Sequence, residues 1–453
     1  MAILDFPPSP AIGTLYPNPA VQGQPQYTYD GEKWISGTGG GAIYISDSAP
    51  AAPVGSLWWE SDTSILYVRY FDGDSTQWCQ VLNGPADAVR FGTAQTLTTA
   101  QQDQARTNIG VLPSENILIN GFMDVSQEYG GASVSISAAA AYPVDQWSIG
   151  GPGGKAFTAQ QYGVGTAIPG VDKSIGITSP AGYALVAADL MYTIQYMEGY
   201  RFARLGWGQG AGTGQSLAMG FWVYCSTAGT FSVAIRNFDY TRSYCIPVTV
   251  PAGVWTYRTV VFPPCPDGVW KIDNTHAANI LFTWNRSTGM ITPVSNMWRA
   301  ENNTVAFEAT NTIASGNQGC YITGVTAVAG NVPVTQAQCP LMRRGYAEEL
   351  PLCQRYWRKN VSSPVGWTAT NTNARAAMAL SPPMRTTPTA ILLSGASVIE
   401  LYGSAILNIS ALLAFASFST GTGLHFNMTT AAAAAYAPGI LAGDSISLNA
   451  RLV

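Results

Sequence analysis

The stretch SLAMGFWVYCSTAGTFSVAIRNFDYTRSYCIPVTVPAGVWTYRTVVF, residues 216–262, decides the fold class. It contains four short runs rich in aromatic and β-branched residues, separated by turn-forming segments such as DYTRS and PAGVW. Short strands at this regular spacing are typical of antiparallel sandwiches. The same pattern extends over residues 114–342, so we predict an all-β protein whose body is a jelly-roll-like antiparallel β-sandwich.

The composition fits a protein of short strands and turns. Of the 453 residues 47% are hydrophobic, but only 11% are charged, against roughly 25% in ordinary soluble domains. Long solvated helices usually carry Glu/Lys pairs, and this chain has 47 glycines and 28 prolines instead. A monomer so poor in charge tends to self-associate. We therefore expect part of its surface to be buried in an oligomer.

Charge and hydropathy patterns argue against several classes of partner. The net charge is −4 and the basic residues are scattered, so we expect no binding to nucleic acid. The N-terminal MAILDFPPSP lacks the basic and apolar regions of a secretory signal. The longest uncharged stretch, residues 401–443, is interrupted by polar side chains before about 18 continuous apolar positions, so we expect no membrane insertion.

Two segments near the start of the chain repeat each other. GTLYPNPAVQGQPQYTYDGEKW (13–34) and GSLWWESDTSILYVRYFDGDSTQW (55–78) align at a shift of 42 residues, which places Tyr29 on Phe71. Each contains an aromatic extended run, an Asp-Gly turn and a closing tryptophan, the pattern of a β-hairpin. We predict two hairpin modules within residues 1–85. Four tryptophans are expected to pack in their cores rather than bind ligand: Trp34, Trp58, Trp59 and Trp78.

A short helical linker is predicted within residues 86–113. In TLTTAQQDQARTNIGV, Thr99 and Gln102 fit a capping box and Gly110 lies where a helix C-cap belongs. The helix is too short and too polar to be stable alone. We therefore expect it to lie on a symmetry axis beside its copies, as a trimeric joint.

Two segments follow the sandwich. The highly charged residues 343–360 predict a connector, either a short helix or an extended strap. Residues 361–453 predict a β-rich tip domain in which AILNISALLAFASF is apolar on both faces. At its end apolar and polar residues alternate, which predicts a strand with one buried face made of Ile446, Leu448, Ala450 and Leu452.

Reactive side chains form no recognised catalytic or metal-binding motif. His276 and His425 are too far apart in sequence for a local metal site, and the alternative is a site formed by His425 and its copies on a threefold axis. FDGDSTQ (71–77) lacks the later ligands of a calcium loop and predicts a turn. The seven cysteines are expected to be buried thiols, and Cys225 and Cys245, which flank a hairpin, are the first pair to examine for a disulfide.

Hydrolysis of a glycan would need two convergent carboxylates. Five acidic residues are available for such a pair, but their ordinary role is as turn or surface charges: Asp239, Glu301, Glu308, Glu348 and Glu349. No nucleophile, phosphate-binding or dinucleotide fingerprint is present in the sequence. We therefore predict no catalytic residue, no metal site, no cofactor and no enzymatic activity.

Three motifs resemble a known class of proteins. NILINGFMDVSQ (116–127), YPVDQW (142–147) and GYAEELPLCQRYW (345–357) are similar, in this order, to motifs of tail fibre proteins from tailed bacteriophages and prophages. In those proteins the motifs bracket a sandwich that looks like a carbohydrate-binding module. The linker, the repeated hairpins and LSPPMRTTPTAIL (380–392) also resemble parts of such fibres.

The resemblance implies a receptor-binding fibre. Residues 1–85 would attach it to other tail, collar or baseplate proteins, and the sandwich and tip would recognise a bacterial surface glycan. Such fibres are commonly homotrimers, belong to the virion and assemble in the host cytoplasm. Two alternatives remain open, a fibre-borne polysaccharide depolymerase and a purely structural collar or baseplate fibre.

Glycan contacts are expected in loops, because the core uses most strand aromatics. Three loops combine aromatic rings with amides or charges: GWGQGAG, NFDYTRSY and GWTATNTNAR. Their candidate contacts are Trp207; Asp239, Tyr240 and Arg242; and Trp367, Asn371 and Asn373. Trp367 is the first choice, since the distal domain is the expected tip.

Overall fold

The computed structural model describes most of the chain. Its described residues are 6–19, 26–36, 43–81, 98, 101–102, 104–105, 115–136, 140–151, 157–179, 186, 189–210, 213–313, 316, 318–359, 365–368, 373–392, 398–401, 405–415, 423–430, 438–442 and 446–452. The chain divides into two compact units, Met1–Thr96 and Leu97–Val453. Both are built mainly from antiparallel strands, which confirms the all-β prediction.

The first unit contains two small sheets. Its strands are β1 Leu15–Tyr16, β2 Tyr27–Tyr29, β3 Trp34–Ser36, β4 Ile43–Ser46, β5 Leu57–Glu60, β6 Ile65–Phe71 and β7 Thr76–Gln80. The sheet orders are β1-β2-β3 and β4-β5-β6-β7, and β4 runs parallel to β5. Trp58 is buried and stacks on Tyr67 at 4.9 Å, as expected of a packing residue, whereas Trp59 is 39% exposed.

Both sheets contain the same hairpin turn. Asp30 Oδ1 accepts the backbone N–H groups two and three positions ahead at 2.9 and 2.8 Å, and Asp72 Oδ1 does the same at 3.0 and 2.8 Å. The glycines that follow, Gly31 and Gly73, both have a φ of 108°, which side-chain-bearing residues rarely adopt. The Asp-Gly signal in each copy therefore forms a turn, as predicted for residues 71–77.

The second copy is longer by two residues on each arm of its hairpin. Tyr29 pairs with Trp34 in the first copy, and Arg69 pairs with Trp78 in the second. Corresponding residues of the two copies are thus 40 positions apart in the first arm of the hairpin and 44 positions apart in the second arm. Tyr29 and Phe71 both precede the Asp-Gly turn, as the alignment predicted, but in the pairing with the closing tryptophan Arg69 takes the place of Tyr29. Its guanidinium lies 5.6 Å from the ring centre of Trp78.

The second unit contains the predicted sandwich. Its strands are β8 Val134–Ile136, β9 Ala141–Val144, β10 Trp147–Gly150, β11 Phe157–Gly163, β12 Lys173–Thr178, β13 Tyr192–Glu198, β14 Leu217–Cys225, β15 Gly229–Asn237, β16 Ser243–Val250, β17 Thr256–Phe262, β18 His276–Thr283 and β19 Gly319–Ala329. Sheet I has the order β16-β15-β18-β13-β10-β9, and sheet II has the order β17-β14-β19-β12-β11-β8. All pairings within both sheets are antiparallel.

The two sheets pack face to face around one aromatic core. Phe221 of sheet II lies 5.1 Å from Phe282 and 6.3 Å from Phe231 of sheet I, measured between ring centres. The four runs of residues 216–262 form β14 to β17, of which β14 and β17 belong to sheet II and β15 and β16 to sheet I. Cys225 and Cys245 consequently lie in different sheets, and both belong to the seven cysteines of the chain, all of which are free thiols.

Helices are few and short in the described part of the second unit. They are α1 Gly199–Phe202, continued by the 3-10 turn Ala203–Leu205, a 3-10 turn Cys339–Met342, and α2 Tyr346–Gln354. In the linker the described residues between 101 and 105 are helical. Its capping box lies one residue earlier than predicted: Thr98 Oγ1 accepts the Gln101 N–H at 3.3 Å, and Gln101 Oε1 accepts the Thr98 N–H at 3.0 Å. Thr99 and Gly110 lie outside the described residues.

The three motifs that carry the fibre resemblance meet in one buried network, which we call the motif clasp. Asn120 Nδ2 donates to the carbonyl oxygen of Asp145 at 2.9 Å, and the Asn120 carbonyl accepts the indole N–H of Trp147 at 2.9 Å. The backbone N–H of Asn120 donates to Glu349 Oε1 at 2.6 Å. Glu349, at the start of α2, also forms a 2.9 Å ion pair with Arg344. These motifs therefore hold the connector against the sandwich.

Asp145 is the titratable centre of the clasp. Its Oδ1 accepts the Gln127 backbone N–H at 2.9 Å, and its other carboxylate oxygen accepts the Gln127 side-chain amide. Burial raises the pKa of Asp145 to about 6, although these hydrogen bonds act in the opposite direction. The clasp thus holds a carboxyl group that ionises less readily than an exposed aspartate.

The C-terminal strands form two further sheets. They are β20 Trp357–Lys359, β21 Val365–Thr368, β22 Asn373–Ala379, β23 Thr389–Leu392, β24 Val398–Leu401, β25 Ala405–Phe415, β26 Gly423–Thr430, β27 Pro438–Ala442 and β28 Ile446–Asn449. One sheet is β20-β28-β23, and the order β21-β22-β26-β25-β24-β27 closes on itself. Leu448, Ala450 and Leu452 are buried, as the alternation predicted. No helix among the described residues is both long and apolar enough to cross a bilayer.

Candidate functional site

The outer surface of sheet I carries four half-buried tyrosines. Met197 of β13 belongs to the core, so the alternation along the strand projects Tyr192 and Tyr196 from the opposite surface. The hydroxyl of Tyr196 interacts electrostatically with those of Tyr142, Tyr192 and Tyr240. Burial and these three neighbours together raise the pKa of Tyr196. We call Tyr142, Tyr192, Tyr196 and Tyr240 the tyrosine face.

Tyr192 lies flat because its neighbour in the sheet is a glycine. Gly150 of β10 is its register partner, and a Cβ atom placed on Gly150 would lie 2.3 Å from Tyr192 Cζ. The ring therefore covers the β10 backbone, where any larger residue would displace it. Ile194 and Leu281 pair with each other on the same face of the sheet and are only 1% and 2% exposed.

A buried arginine supports Tyr240. The Arg236 guanidinium carbon lies 4.5 Å from the Tyr240 ring centre, in a cation–π contact. Arg236 Nε donates to Asn279 Oδ1 at 3.1 Å, and Nη1 donates to Asn302 Oδ1 at 2.7 Å. Tyr240 has a φ of 60°, a left-handed conformation that costs free energy outside glycine. The turn thus holds this ring in position at a cost in stability.

Arg236 is a charge without an acidic partner. It is 7% exposed, and none of the salt bridges within the described residues includes it. Burial lowers the pKa of its guanidinium. A buried charge without an acidic partner is costly, and groups perturbed in this way cluster at functional sites.

His276 adds a neutral imidazole beside the tyrosines. Its ring centre is 5.0 Å from that of Tyr196 and 6.4 Å from that of Tyr240. Burial, and then the positive charge of Arg236, lower the pKa of His276 to about 4. The imidazole is therefore uncharged near pH 7 and can both donate and accept a hydrogen bond.

Two unpaired polar atoms lie in sheet I or beside it. Thr283 Oγ1, in register with Tyr192, is buried without a hydrogen-bond partner among the described residues, and so is Gln146 Nε2 beside β10. Such atoms are rare in native proteins. Aromatic faces cover the apolar side of a sugar ring, while amides, hydroxyls and a guanidinium pair with its hydroxyl groups. The tyrosine face therefore has the chemistry of a glycan site.

The prediction for Trp207 was wrong, because this residue is part of the core. It is 4% exposed, and its ring lies 5.1 Å from Phe202 and 5.0 Å from Trp270. Its Nε1 donates to the Gln215 carbonyl at 2.6 Å. The glycine-rich loop folds back over the indole instead of displaying it.

The second predicted loop contributes one residue to the tyrosine face. Tyr240 belongs to it, whereas Asp239 Oδ1 accepts the Thr241 hydroxyl at 2.7 Å and so stabilises the turn. Arg242 forms a two-pronged ion pair with Asp267 at 2.6 and 2.7 Å. The structure thus commits Asp239 and Arg242 to local contacts.

The third predicted loop contains strand residues. The Trp367 backbone lies in β21, paired with Arg375 of β22, and Asn373 is the first residue of β22. Asn371 lies outside the described residues. The loop expected around Trp367 is thus shorter than predicted, and the three residues remain a prediction as glycan contacts.

The five acidic residues considered for hydrolysis have local partners. Besides Asp239 and Glu349, Glu348 Oε2 accepts the Gly345 N–H at 3.3 Å, Glu308 accepts the Ser295 hydroxyl at 2.5 Å, and Glu301 lies 3.6 Å from Arg299. Within the described residues no group of three or more His, Cys, Asp and Glu side chains could hold a metal ion.

Sequence reasoning missed Tyr142, Tyr192, Tyr196, Arg236 and His276. Strand aromatics were assigned to the core, which is the commoner outcome in a sandwich. The signal that could have found two of them is the segment MYTIQYME (191–198), where methionines and tyrosines alternate and only one set can face inward.

Comparisons with known proteins complete the description. No protein-family model and no curated protein matches the chain. A similar solved structure is the enzymatically active domain of bacteriophage CBA120 tailspike protein 4, with 14% identity and a TM-score of 0.27; the match covers 48% of this chain and 22% of that one.

Two carbohydrate-binding modules are also similar. One is TmCBM61 in complex with beta-1,4-galactotriose, with 12% identity, a TM-score of 0.25, and coverage of 48% of this chain and 99% of the module. The other is a family 11 module from Clostridium thermocellum in complex with a mixed-linked tetrasaccharide, with 9% identity, a TM-score of 0.23, and coverage of 44% and 96%.

The expectation that the chain is not an enzyme is corrected by these comparisons. Besides the active tailspike domain, the similar structures include an exo-beta-agarase and a xylanase with its carbohydrate-binding module. Their TM-scores of 0.22 to 0.27 indicate neither a reaction nor a substrate for this chain.

Proposed function

We propose that the chain is a fibre protein of a tailed-phage virion, and that its β-sandwich binds a glycan of the bacterial surface. The observation that carries the glycan part is the tyrosine face, where Tyr192, Tyr196 and Tyr240 lie around a buried Arg236 that has no acidic partner among the described residues. The virion part is supported by the three ordered fibre motifs and by the repeated hairpins. On this proposal residues 1–85 attach the fibre to other tail, collar or baseplate proteins, and three copies form one fibre.

The glycan part is tested by binding to immobilised bacterial polysaccharides, with beta-1,4-galactotriose as a soluble probe. Tyr192→Ala should weaken binding by at least about fivefold, since stacking on an aromatic ring contributes on the order of 1 kcal/mol or more. Tyr70→Ala is the matched control, because Tyr70 is 53% exposed and lies in the other unit. Equal binding by both variants would remove the tyrosine face from the site.

The virion part is tested separately. Antibodies against the purified chain should label a fibre on intact particles in electron micrographs, and unlabelled particles would contradict it. The glycan that binds best should also be incubated with the protein and assayed for new reducing ends, which separates binding from depolymerisation.

A further inference from the structure

We propose that sheet II carries a second sugar-binding site, an aromatic slot formed by Tyr162, Tyr224 and Tyr321 that accepts an uncharged pyranose ring. It lies on the opposite side of the sandwich from the tyrosine face. Tyr321 of β19 pairs with Gly176 of β12 on one side and with Tyr224 of β14 on the other. Because its neighbours Cys320 and Ile322 belong to the core, Tyr321 projects from the outer surface.

Two glycines hold the Tyr321 ring flat on the sheet. A Cβ atom on Gly176 would lie 2.1 Å from Tyr321 Cδ1, and one on Gly319 would lie 2.5 Å from its hydroxyl oxygen. One side of the ring therefore covers the backbone, and the half-buried tyrosine offers the other side outward. A glycine inside a strand costs about 0.5–1 kcal/mol relative to alanine, so this geometry is kept at a cost.

The neighbouring rings stand as walls around this floor. The Tyr162 ring centre lies 4.9 Å from that of Tyr321 at an interplanar angle of 84°, and Tyr224 lies at 5.6 Å and 69°. Trp255 continues the row, 5.7 Å from Tyr224. A flat floor between upright rings suits the apolar face of a pyranose, whose C–H groups point to one side.

Polar but uncharged side chains flank the slot. Gln160 is the register partner of Gly176, and Thr158 pairs with Thr178 one row further along the same surface. Their amide and hydroxyl groups suit sugar hydroxyls and offer no ionic contact. Burial raises the pKa of Tyr321 to about 12, so its hydroxyl remains a neutral donor.

The slot is formed by residues of sheet II and the tyrosine face lies on sheet I, so the two sites can be tested separately. The experiment is saturation-transfer NMR on the full chain with methyl β-D-galactopyranoside, methyl β-D-glucopyranoside and beta-1,4-galactotriose. In the Tyr192→Ala background, binding at the tyrosine face is weakened, so most of the signal that remains should come from the slot. Adding Gly176→Ala should remove that part of the signal, because the new methyl group displaces the Tyr321 ring. Gly163→Ala is the matched control on sheet II, since nothing lies within 4 Å of its Cβ position.

Each outcome decides the proposal. Remaining signal that disappears with Gly176→Ala but survives Gly163→Ala supports the slot. No remaining signal in the Tyr192→Ala background overturns the slot and leaves the proposed function standing, whereas no signal in the unmodified chain counts against both sites for these sugars. If Gly176→Ala instead changes the oligomeric state in light scattering, the slot is an interface between copies and the proposal fails. Tyr321→Leu, which keeps an apolar side chain there, should lose the same signal if Gly176→Ala does not fold.

Discussion

The local sequence of Trp207 predicts an exposed loop residue, whereas the structure buries it in the aromatic core. Glycines surround it in the sequence, yet its indole packs against Phe202, Trp270 and Trp298. Trp207→Ala should lower the free energy of unfolding by about 3–5 kcal/mol, as for other buried aromatic truncations. Urea denaturation measures this, with Tyr200→Ala as control, because Tyr200 is 63% exposed and its loss should cost no more than about 0.5 kcal/mol. A change in Trp207→Ala no larger than the control would place the indole outside the core.

Two other residues have opposite pKa shifts in the same pH range. The pKa of Asp145 is raised from 3.8 to about 6, and that of His276 is lowered from 6.5 to about 4. The contribution of Asp145 to stability is complete below pH 3.8 and is lost as the pH rises through about 6. That of His276 is complete above pH 6.5 and is lost as the pH falls through about 4. The two contributions offset each other between these limits.

Single substitutions should separate these contributions. In His276→Gln the stability should fall as the pH rises from 4 to 6, by up to about 3 kcal/mol, because one pKa unit corresponds to about 1.4 kcal/mol. In Asp145→Asn it should rise over the same interval. Urea unfolding at half-unit pH steps measures both slopes, and slopes of the same sign in the two variants would contradict the assignment.

At the scale of elements, the motif clasp depends on one buried ion pair. The Arg344 and Glu349 side chains are 15% and 6% exposed, and Arg344 also donates to the backbone carbonyl of Leu118. Arg344→Met leaves a buried carboxylate without its cation and should cost about 3–5 kcal/mol. The control Arg204→Met removes the pair with Glu115, whose side chains are 37% and 38% exposed, and should cost at most about 1 kcal/mol. Equal losses in thermal or urea unfolding would show that the clasp does not depend on this pair.

The sequence predicted strands well and their environments less well. The runs in residues 216–262 became β14 to β17, because aromatic and β-branched patterns are local properties. Which face of a strand meets the core depends on partners far along the chain, so Tyr192 and Tyr196 could not be assigned to the outer surface. The prediction for Trp207 was wrong for a related reason, because the position of a glycine-rich loop depends on the residues against which it packs. Tyr240 was found because its turn is local.

At the scale of the whole molecule, the division after Thr96 predicts separable roles. A truncated chain that starts at Leu97 should bind polysaccharide with an affinity within about twofold of the full chain, because the tyrosine face and the aromatic slot both lie in the second unit. The same truncation should prevent incorporation into particles. Loss of glycan binding by a truncated protein that still unfolds cooperatively would contradict this assignment.

The proposed oligomer gives a second prediction at this scale. The low charge and the short linker helix favour three copies, so light scattering of the intact chain should give about three times 48.0 kDa. A mass near that of one chain would contradict the trimer.

The two N-terminal hairpins differ in length by an even number of residues in each arm. The second copy extends each arm by two residues, and because side chains alternate along a strand, an even extension leaves every ring on its original side. An odd extension would turn Trp78 outward and bring its neighbours in. Each arm of the hairpin can therefore be lengthened only by two residues at a time. Variants of different length that still fold should differ by even numbers of residues in each arm.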